Sequence, residues 1–453
     1  MTTLMLRTLH VTTEVPGIPV APAYIEQKRG IPLASYLVRG GQRLTGDVTI
    51  SGSKNAALGI IAAATMLDGP CKIENIPDVA DINVLLEIIK TLGAEIRRDN
   101  EGSLYIDPLP IHTFVAENER VRSIRGSYYL LGAMLGRFHN ASILMPGGCN
   151  FGTRPIDQHM KGFEALGAHS SLEHGRINLH ADRLRGENIF LDVVSVGATI
   201  NIMIAATKAE GITVIENAAK EPHIVDVANF LNTMGANIRG AGTDVIRITG
   251  PPVLPAGCSY AVIPDQIEAG TYMIAAAITR GDVTVHGLIP KHMEPLSAKL
   301  EEMGAQIEIG DDSIRVFVEP GDILQAASFK TMPYPGFPTD LQPQTTVLLS
   351  TVHGTSRMFE NVWDNRFQYV DELKMMGAQI MTSGQMAIIE GVPELSGAVV
   401  TARDLRAGAA MVLAGLVAEG TTEVTDIAKI ERGYESFIQK MRSIGADITR
   451  VEN

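Results

Sequence analysis

Cysteine is scarce in this chain: Cys71, Cys149 and Cys258 are the only three in 453 residues. The number is odd and the spacing fits no metal signature, which excludes a disulfide framework or a thiolate zinc site and fits a reducing compartment. Aromatic residues make up 5%, with a single tryptophan, too few for the stacking platforms that bind single-stranded nucleic acid. Basic residues are outnumbered, 38 Lys+Arg against 51 Asp+Glu, for a net charge of −13. That balance argues against nucleic acid or an anionic membrane as the main partner, but not against a small anion held by a few local cations. No apolar run approaches the ~18 residues of a membrane span. Residues 1–33 contain no apolar stretch followed by a small-residue cleavage site, so no signal peptide is expected. With Pro16, Pro19, Pro22 and Pro32 they read as an extended N-terminal extension. The expected location is the cytoplasm.

What the chain has in quantity is glycine, at 44, and apolar residues, at 45%. The length exceeds one compact core and calls for two or three domains. A tripeptide (Leu/Met/Ile)-Gly-Ala recurs six times, with glycines at Gly93, Gly167, Gly235, Gly304, Gly377 and Gly445, spaced 68 to 74 residues apart. Some 23 to 27 residues upstream of each glycine, at Gly69, Asn140, Gly211, Gly281, Gly354 and Gly420, a turn residue introduces a strand-like run. Ile82, Leu85, Leu86 and Ile89 then form one helical stripe. The glycine ends the helix, since a residue just past a helix often needs positive φ, and a second strand follows, as at Ala94-Glu95-Ile96. The spans Ile200 to Thr207 and Tyr272 to Thr279 read as buried helices. Six such units predict an α/β protein of two pseudo-symmetric domains, three βαβ-type repeats each, with a ligand site between them.

Four kinds of segment could carry chemistry. In Pro146-Gly147-Gly148-Cys149-Asn150-Phe151-Gly152-Thr153-Arg154-Pro155, a thiol lies five residues from a cation in a loop rich in glycine and proline. It could be a nucleophile or proton donor, or simply a small loop residue. Cys71 and Cys258 read as structural. Lys54, in Ser51-Gly52-Ser53-Lys54-Asn55-Ala56-Ala57, lies where a strand (Val48 to Ile50) gives way to a helix. That place suits a phosphate, or an ordinary capped helix. In Pro333 to Asp340, three prolines stiffen a loop that ends on a carboxylate. Asp340 is then a general base, or the N-cap of a helix near Gln342. Finally, Asn365-Arg366, Asp404-Leu405-Arg406 and Glu431-Arg432-Gly433 place arginines near strand-to-helix transitions, where surface ion pairs are the plain alternative.

Together these segments resemble the UDP-N-acetylglucosamine 1-carboxyvinyltransferases, the enolpyruvyl transferase family that starts bacterial peptidoglycan synthesis. The resemblance runs from about Tyr36 to the end. It rests on Ser51-Gly-Ser-Lys-Asn-Ala-Ala-Leu, Pro146-Gly-Gly-Cys, Arg154-Pro, Ser195-Val-Gly-Ala-Thr, Pro335-Gly-Phe-Pro-Thr-Asp, Asp404-Leu-Arg and Arg432-Gly-Tyr. The implied fold is the inside-out α/β barrel of EPSP synthase. Residues 34–52 and 264–453 would form a discontinuous domain, and residues 53–263 the other, which carries the mobile loop 146–155. The chain would cross near Gly52 and Pro264.

The resemblance implies transfer of the enolpyruvyl group of phosphoenolpyruvate to the 3′-hydroxyl of UDP-N-acetylglucosamine, with phosphate released by addition and elimination and with no metal or organic cofactor. Lys54, Arg154 and Arg432 would hold the phosphate, Arg366 and Arg406 the carboxylate, and Asn55 would orient the reactants. Cys149 would donate the proton to C3 and be alkylated by fosfomycin. Asp340 would be the base for the sugar hydroxyl, Asp404 would fix Arg406 and contribute to proton transfer, and Asp265 would help form the closed state. The nucleotide sugar would touch Arg125, Arg154, Pro155, Ile156, Asp157, Gln158, Val193, Val194, Ser195, Val196, Asp340 and Val362. Val193 stands where some members have Lys and Gln158 where Leu is common, both on the uridine side. The rivals are an enolpyruvyl transferase acting on another nucleotide or nucleotide sugar and a non-catalytic paralogue that only binds the nucleotide sugar. A shikimate 3-phosphate enzyme fits the Cys149 and Ser195 loops poorly.

Overall fold

A computed structural model describes residues 34–145, 147, 156–251 and 257–452. The described residues are mixed α/β, and their strands form six four-stranded sheets and one two-stranded ribbon. The six sheets share one order. In the sheet built on Cys71–Glu74, the strand Ser259–Ala261 pairs parallel on one side and Leu104–Asp107 antiparallel on the other, with Glu95–Arg98 antiparallel beyond it. The sheets built on Asn140–Leu144, Gly211–Glu216, Asp282–His286 and Thr355–Phe359 repeat that arrangement. In the last sheet, Thr421–Thr425 pairs with Ser35–Arg39, which pairs in turn with Asp447–Val451. The first described strand of the chain therefore completes the last sheet.

These strands begin within two residues of the turn positions noted in the sequence. The glycines that follow the helices behave as their spacing suggests. Gly93 has φ 116° and caps Ala80–Leu92, and the other five have φ between 93° and 103°. Only glycine adopts that region without a Cβ penalty.

Six of the described helices are buried on nearly every side and lie inside the two apolar clusters. Lys54–Ala64, Tyr129–Phe138 and Val196–Ala206 belong to a cluster drawn from residues 56–262. Gln266–Ile278, Gln342–Leu349 and Leu405–Val417 belong to a cluster drawn from 36–50 and 267–448. Each fully covered Ile or Leu in them contributes ~1.5–3 kcal/mol relative to exposure. Between the clusters the chain runs twice, side by side. Gly52 and Pro264 form an isolated antiparallel bridge, and Ser53 N donates to the Ile263 carbonyl at 2.7 Å while Asp265 N donates to the Ser51 carbonyl at 2.9 Å. A Cβ at Gly52 would collide with the Asn75 carbonyl, so only glycine lets the crossing run this close to Asn75. Among the described residues no helix is long and apolar enough to cross a membrane.

Candidate active site

The crossing places the start of one central helix against the start of another. Ser53 caps Lys54–Ala64 by accepting from Ala56 N at 3.4 Å. Asp265 caps Gln266–Ile278, accepting from Ile267 N at 2.8 Å and Glu268 N at 3.1 Å, and also accepts from Lys54 N at 3.2 Å. One carboxylate thus joins two helix N-termini, where negative charge is favoured. Lys54 is held here from both ends. Its Nζ reaches Asp81 Oδ2 at 3.1 Å, and Asp81 Oδ1 accepts from Arg432 Nε at 2.8 Å. Lys54 and Asp81 lie on helices of the first cluster. Arg432 follows Ala428–Glu431 in the second, so the knot spans the two. Burial disfavours the charged form of Asp81, but Lys54 and Arg432 outweigh it and hold its carboxyl below the usual carboxylate range.

A second knot forms on Asp340. Its Oδ2 accepts from Arg406 Nε at 3.1 Å, and Arg366 Nη2 lies 3.6 Å from Oδ1. Both arginine side chains are almost wholly covered. The Arg406 guanidinium also lies over the Tyr434 ring at 5.1 Å. Its Nη1 is buried with no hydrogen-bond partner among the described residues, an uncommon condition for so polar an atom. Burial pushes the Asp340 pKa up, yet Arg406, Arg366 and Lys54 together bring it down to about 2. Two carboxylates therefore hold four cations at the seam between the clusters.

The residues expected to touch the nucleotide sugar lie on several segments. The Arg125 guanidinium lies over the Tyr128 ring at 5.4 Å. Ile156 precedes the helix Asp157–Ala165, whose first turn carries Asp157. Gln158 is buried and locked to the neighbouring loop: its Oε1 accepts from Asp192 N at 2.9 Å and its Nε2 donates to Asp192 Oδ2 at 3.1 Å. That loop then presents Val193 and Val194 to solvent and ends at Ser195, which caps Val196–Ala206 by accepting from Ala198 N at 3.3 Å. Val362 N donates to Glu360 Oε1 at 2.9 Å, and Asn55 is half-buried beside Lys54. Cys149, Arg154 and Pro155 lie outside the described residues. Among the described residues no cluster of His, Cys, Asp and Glu could hold a metal.

A model of the family described as EPSP synthase (3-phosphoshikimate 1-carboxyvinyltransferase) matches residues 38–441. The chain belongs to the EPSP synthase family. UDP-N-acetylglucosamine 1-carboxyvinyltransferase 3 of Caldanaerobacter subterraneus subsp. tengcongensis is 56% identical over 419 residues, covering 92% of this chain and all of that protein. The UDP-N-acetylglucosamine 1-carboxyvinyltransferase of Clostridium botulinum is 56% identical over 420 residues, with the same coverage. Among solved structures, the enolpyruvyl transferase NikO from Streptomyces tendae superposes with a TM-score of 0.85 at 26% identity, over 93% of this chain and all of that one. EPSP synthase from Acinetobacter baumannii, at 19% identity and TM-score 0.71 over 92% of this chain, shares the fold. The EPSP synthase-like α/β fold expected from the sequence is thereby shown.

One expectation gains its detail and one alternative falls away in this EPSP synthase-family chain. Asp404 fixes Arg406 through its backbone. Its side chain accepts from the backbone N of Arg406 at 2.8 Å and of Ala407 at 3.1 Å, as the N-cap of Leu405–Val417, and Asp340 holds the guanidinium instead. Asp340 is not an N-cap: the helix Gln342–Leu349 starts from Leu341 without a side-chain cap, which leaves the Asp340 carboxylate for the arginines. Sequence reasoning also passed over Asp81 and His159. His159 is 3% exposed and its Nδ1 lies 3.0 Å from Asn201 Nδ2, so that nitrogen is the acceptor. Burial first, then the Arg125 charge, lowers its pKa to about 3. The unfolded chain therefore binds a proton that the native state refuses between about pH 6.5 and 3. Stability should be full above pH 6.5 and fall below it by ~1.4 kcal/mol per pH unit from this group. Denaturant titrations from pH 7 to 4.5 should show a shallower slope for His159→Gln. An unchanged slope would show that His159 titrates normally.

Proposed function

We propose that the chain transfers the enolpyruvyl group of phosphoenolpyruvate to the 3′-hydroxyl of UDP-N-acetylglucosamine and releases phosphate, the first committed step of peptidoglycan synthesis, in the cytoplasm. The observation that supports this most is the pairing of two cation knots at one seam: Lys54 with Arg432 on Asp81, and Arg366 with Arg406 on Asp340. Phosphoenolpyruvate carries two anionic groups, and guanidinium forks match both phosphate and carboxylate. In this reading Lys54 and Arg432, with Arg154, take the phosphate, and Arg366 and Arg406 take the carboxylate. Asn55 orients the reactants. We further propose that the two apolar clusters are two domains, 34–52 with 264–453 and 53–263, each of three repeats, and that Arg125, Ile156 to Gln158, Val193 to Val196 and Val362 border the nucleotide sugar.

The chemistry follows from the charges. Cys149 gives a proton to C3 of phosphoenolpyruvate, which makes C2 electrophilic. Asp340 takes the proton of the sugar hydroxyl as that oxygen bonds to C2. The tetrahedral ketal then loses a C3 proton and phosphate, restoring the double bond. A substrate carboxylate placed on Arg366 and Arg406 would draw on the same positive charge that holds Asp340 ionised. Two anions sharing those cations raise each other's proton affinity, so substrate binding turns a weakly basic carboxylate into a stronger base. Closure of the cleft would keep water from the electrophile.

The test is phosphate release from phosphoenolpyruvate with UDP-N-acetylglucosamine, other nucleotide sugars and shikimate 3-phosphate offered in turn. Release with UDP-N-acetylglucosamine alone is the expected outcome. Release only with another acceptor would reassign the substrate, and binding without release would make the chain a sensor.

A further inference from the structure

Glu360, at the end of the strand Thr355–Phe359, is 0% exposed, yet it belongs to neither cation knot. Its Oε1 accepts from Thr331 Oγ1 at 2.9 Å, Val362 N at 2.9 Å and Trp363 N at 3.1 Å, and its Oε2 accepts from Thr339 Oγ1 at 2.9 Å. All four donors are neutral hydroxyls and amides. Four accepted bonds fill the capacity of an ionised carboxylate, and a carboxylate is costly to bury unless it is so satisfied. The bonds run to three separate pieces of chain. Thr331 also accepts from Asn361 N at 2.9 Å, which fastens the loop that begins there. Thr339 precedes Asp340, and its carbonyl accepts from Arg366 Nη2 at 3.4 Å. A core that needed only stability could fill this volume with apolar side chains. Here three of the carboxylate's four bonds end on the segments of Asp340 and Val362, and the fourth, from Thr331, braces the same loop through Asn361.

We infer that Glu360 is a positioning residue: one buried carboxylate fixes the Asp340 segment, through Thr339, and the Val362 loop, through its backbone amides and Thr331, in a single geometry. The inference rests on the enolpyruvyl-transfer reading and deepens it, because it sets the spacing between the proposed base and the nucleotide-sugar wall. Displacement of a reacting group by about 1 Å can cost on the order of 10²-fold in rate, so a base on a proline-rich loop needs such an anchor.

Three variants separate the arms. Thr339→Val keeps the shape and removes only the donor to Oε2, whereas Thr339→Ser keeps the donor. Thr331→Val cuts the other hydroxyl, on the side of the Val362 loop. The expected result is a kcat about tenfold lower for Thr339→Val with the KM for UDP-N-acetylglucosamine little changed, a near wild-type kcat for Thr339→Ser, and for Thr331→Val a raised nucleotide-sugar KM with kcat within about threefold. Melting temperatures measured alongside should not rank the variants as their kcat values do. A Thr339→Val kcat within twofold of wild type, equal losses in the Val and Ser variants, or losses that simply follow melting temperature would each overturn the positioning role while leaving the reaction in place. Wild-type protein that releases no phosphate would overturn the functional reading, and this inference with it.

Discussion

Asp340→Asn should lower kcat by about 10²- to 10⁴-fold, the usual contribution of a general base, and at the same time tighten the binding of small anions. The two effects have one source. Asp340 holds Arg406 at 3.1 Å and Arg366 at 3.6 Å, and these charges, with Lys54, keep its pKa at about 2 against the opposing effect of burial. Asparagine keeps the volume and one acceptor oxygen but removes the negative charge, so two nearly covered guanidiniums lose their counter-ion. Phosphoenolpyruvate or inorganic phosphate then meets a more positive site. A residue that merely braced the arginines would instead give weaker anion binding and only a modest loss of rate. Steady-state kinetics beside an anion titration tell the two apart, and a kcat within tenfold of wild type, or weaker anion binding, would remove Asp340 from the role of base. The ion pairs also add stability that is full above the ordinary carboxylate pKa and disappears as pH falls through about 2, so this group should matter little to acid unfolding above about pH 4.

The residues that were legible in the sequence are those with local signatures. A glycine that ends a helix at positive φ recurs at a fixed distance from a turn, and all six have that backbone conformation. Lys54 shows itself because a strand, a capping serine and a helix meet around it. Asp81 has no such signature. It stands in the first turn of an amphipathic helix, where an acidic residue is ordinary, and its partners are 27 and 351 residues away. Glu360 is similar, since a single Glu after a strand says nothing of the four donors that fold over it. Asp404 was legible only in part. It is two residues from Arg406, but a carboxylate at an N-cap is turned toward backbone amides and not toward the guanidinium of the next turn. Pairings set by tertiary distance can be read only once the two clusters are assembled.

Asp81→Ala should produce the largest loss of stability of any single change at the site, and inorganic phosphate should partly reverse it. Asp81 is 6% exposed and is the common partner of Lys54 and Arg432. Removing one member of a buried ionic group leaves uncompensated charge, typically at ~3–5 kcal/mol. Here it would leave two cations facing each other, with only 11% of the Lys54 side chain exposed. An added anion can take the vacated place, and a ligand that binds only the native state stabilises it in proportion to RT ln(1 + [L]/Kd). Thermal unfolding with and without millimolar phosphate should therefore show a lower melting temperature for the variant and a larger phosphate-induced rise than in the wild type. Equal melting temperatures, or an equal rise, would sink this account of the knot. The same competition bears on turnover. If Lys54 and Arg432 hold the phosphate as proposed, arriving phosphate must displace or share Asp81 to reach them, and once the ketal has collapsed Asp81 is at hand to reclaim both cations. A built-in carboxylate of that kind weakens phosphate binding in the ground state, so the variant that binds phosphate more tightly should also be the one that releases it more slowly.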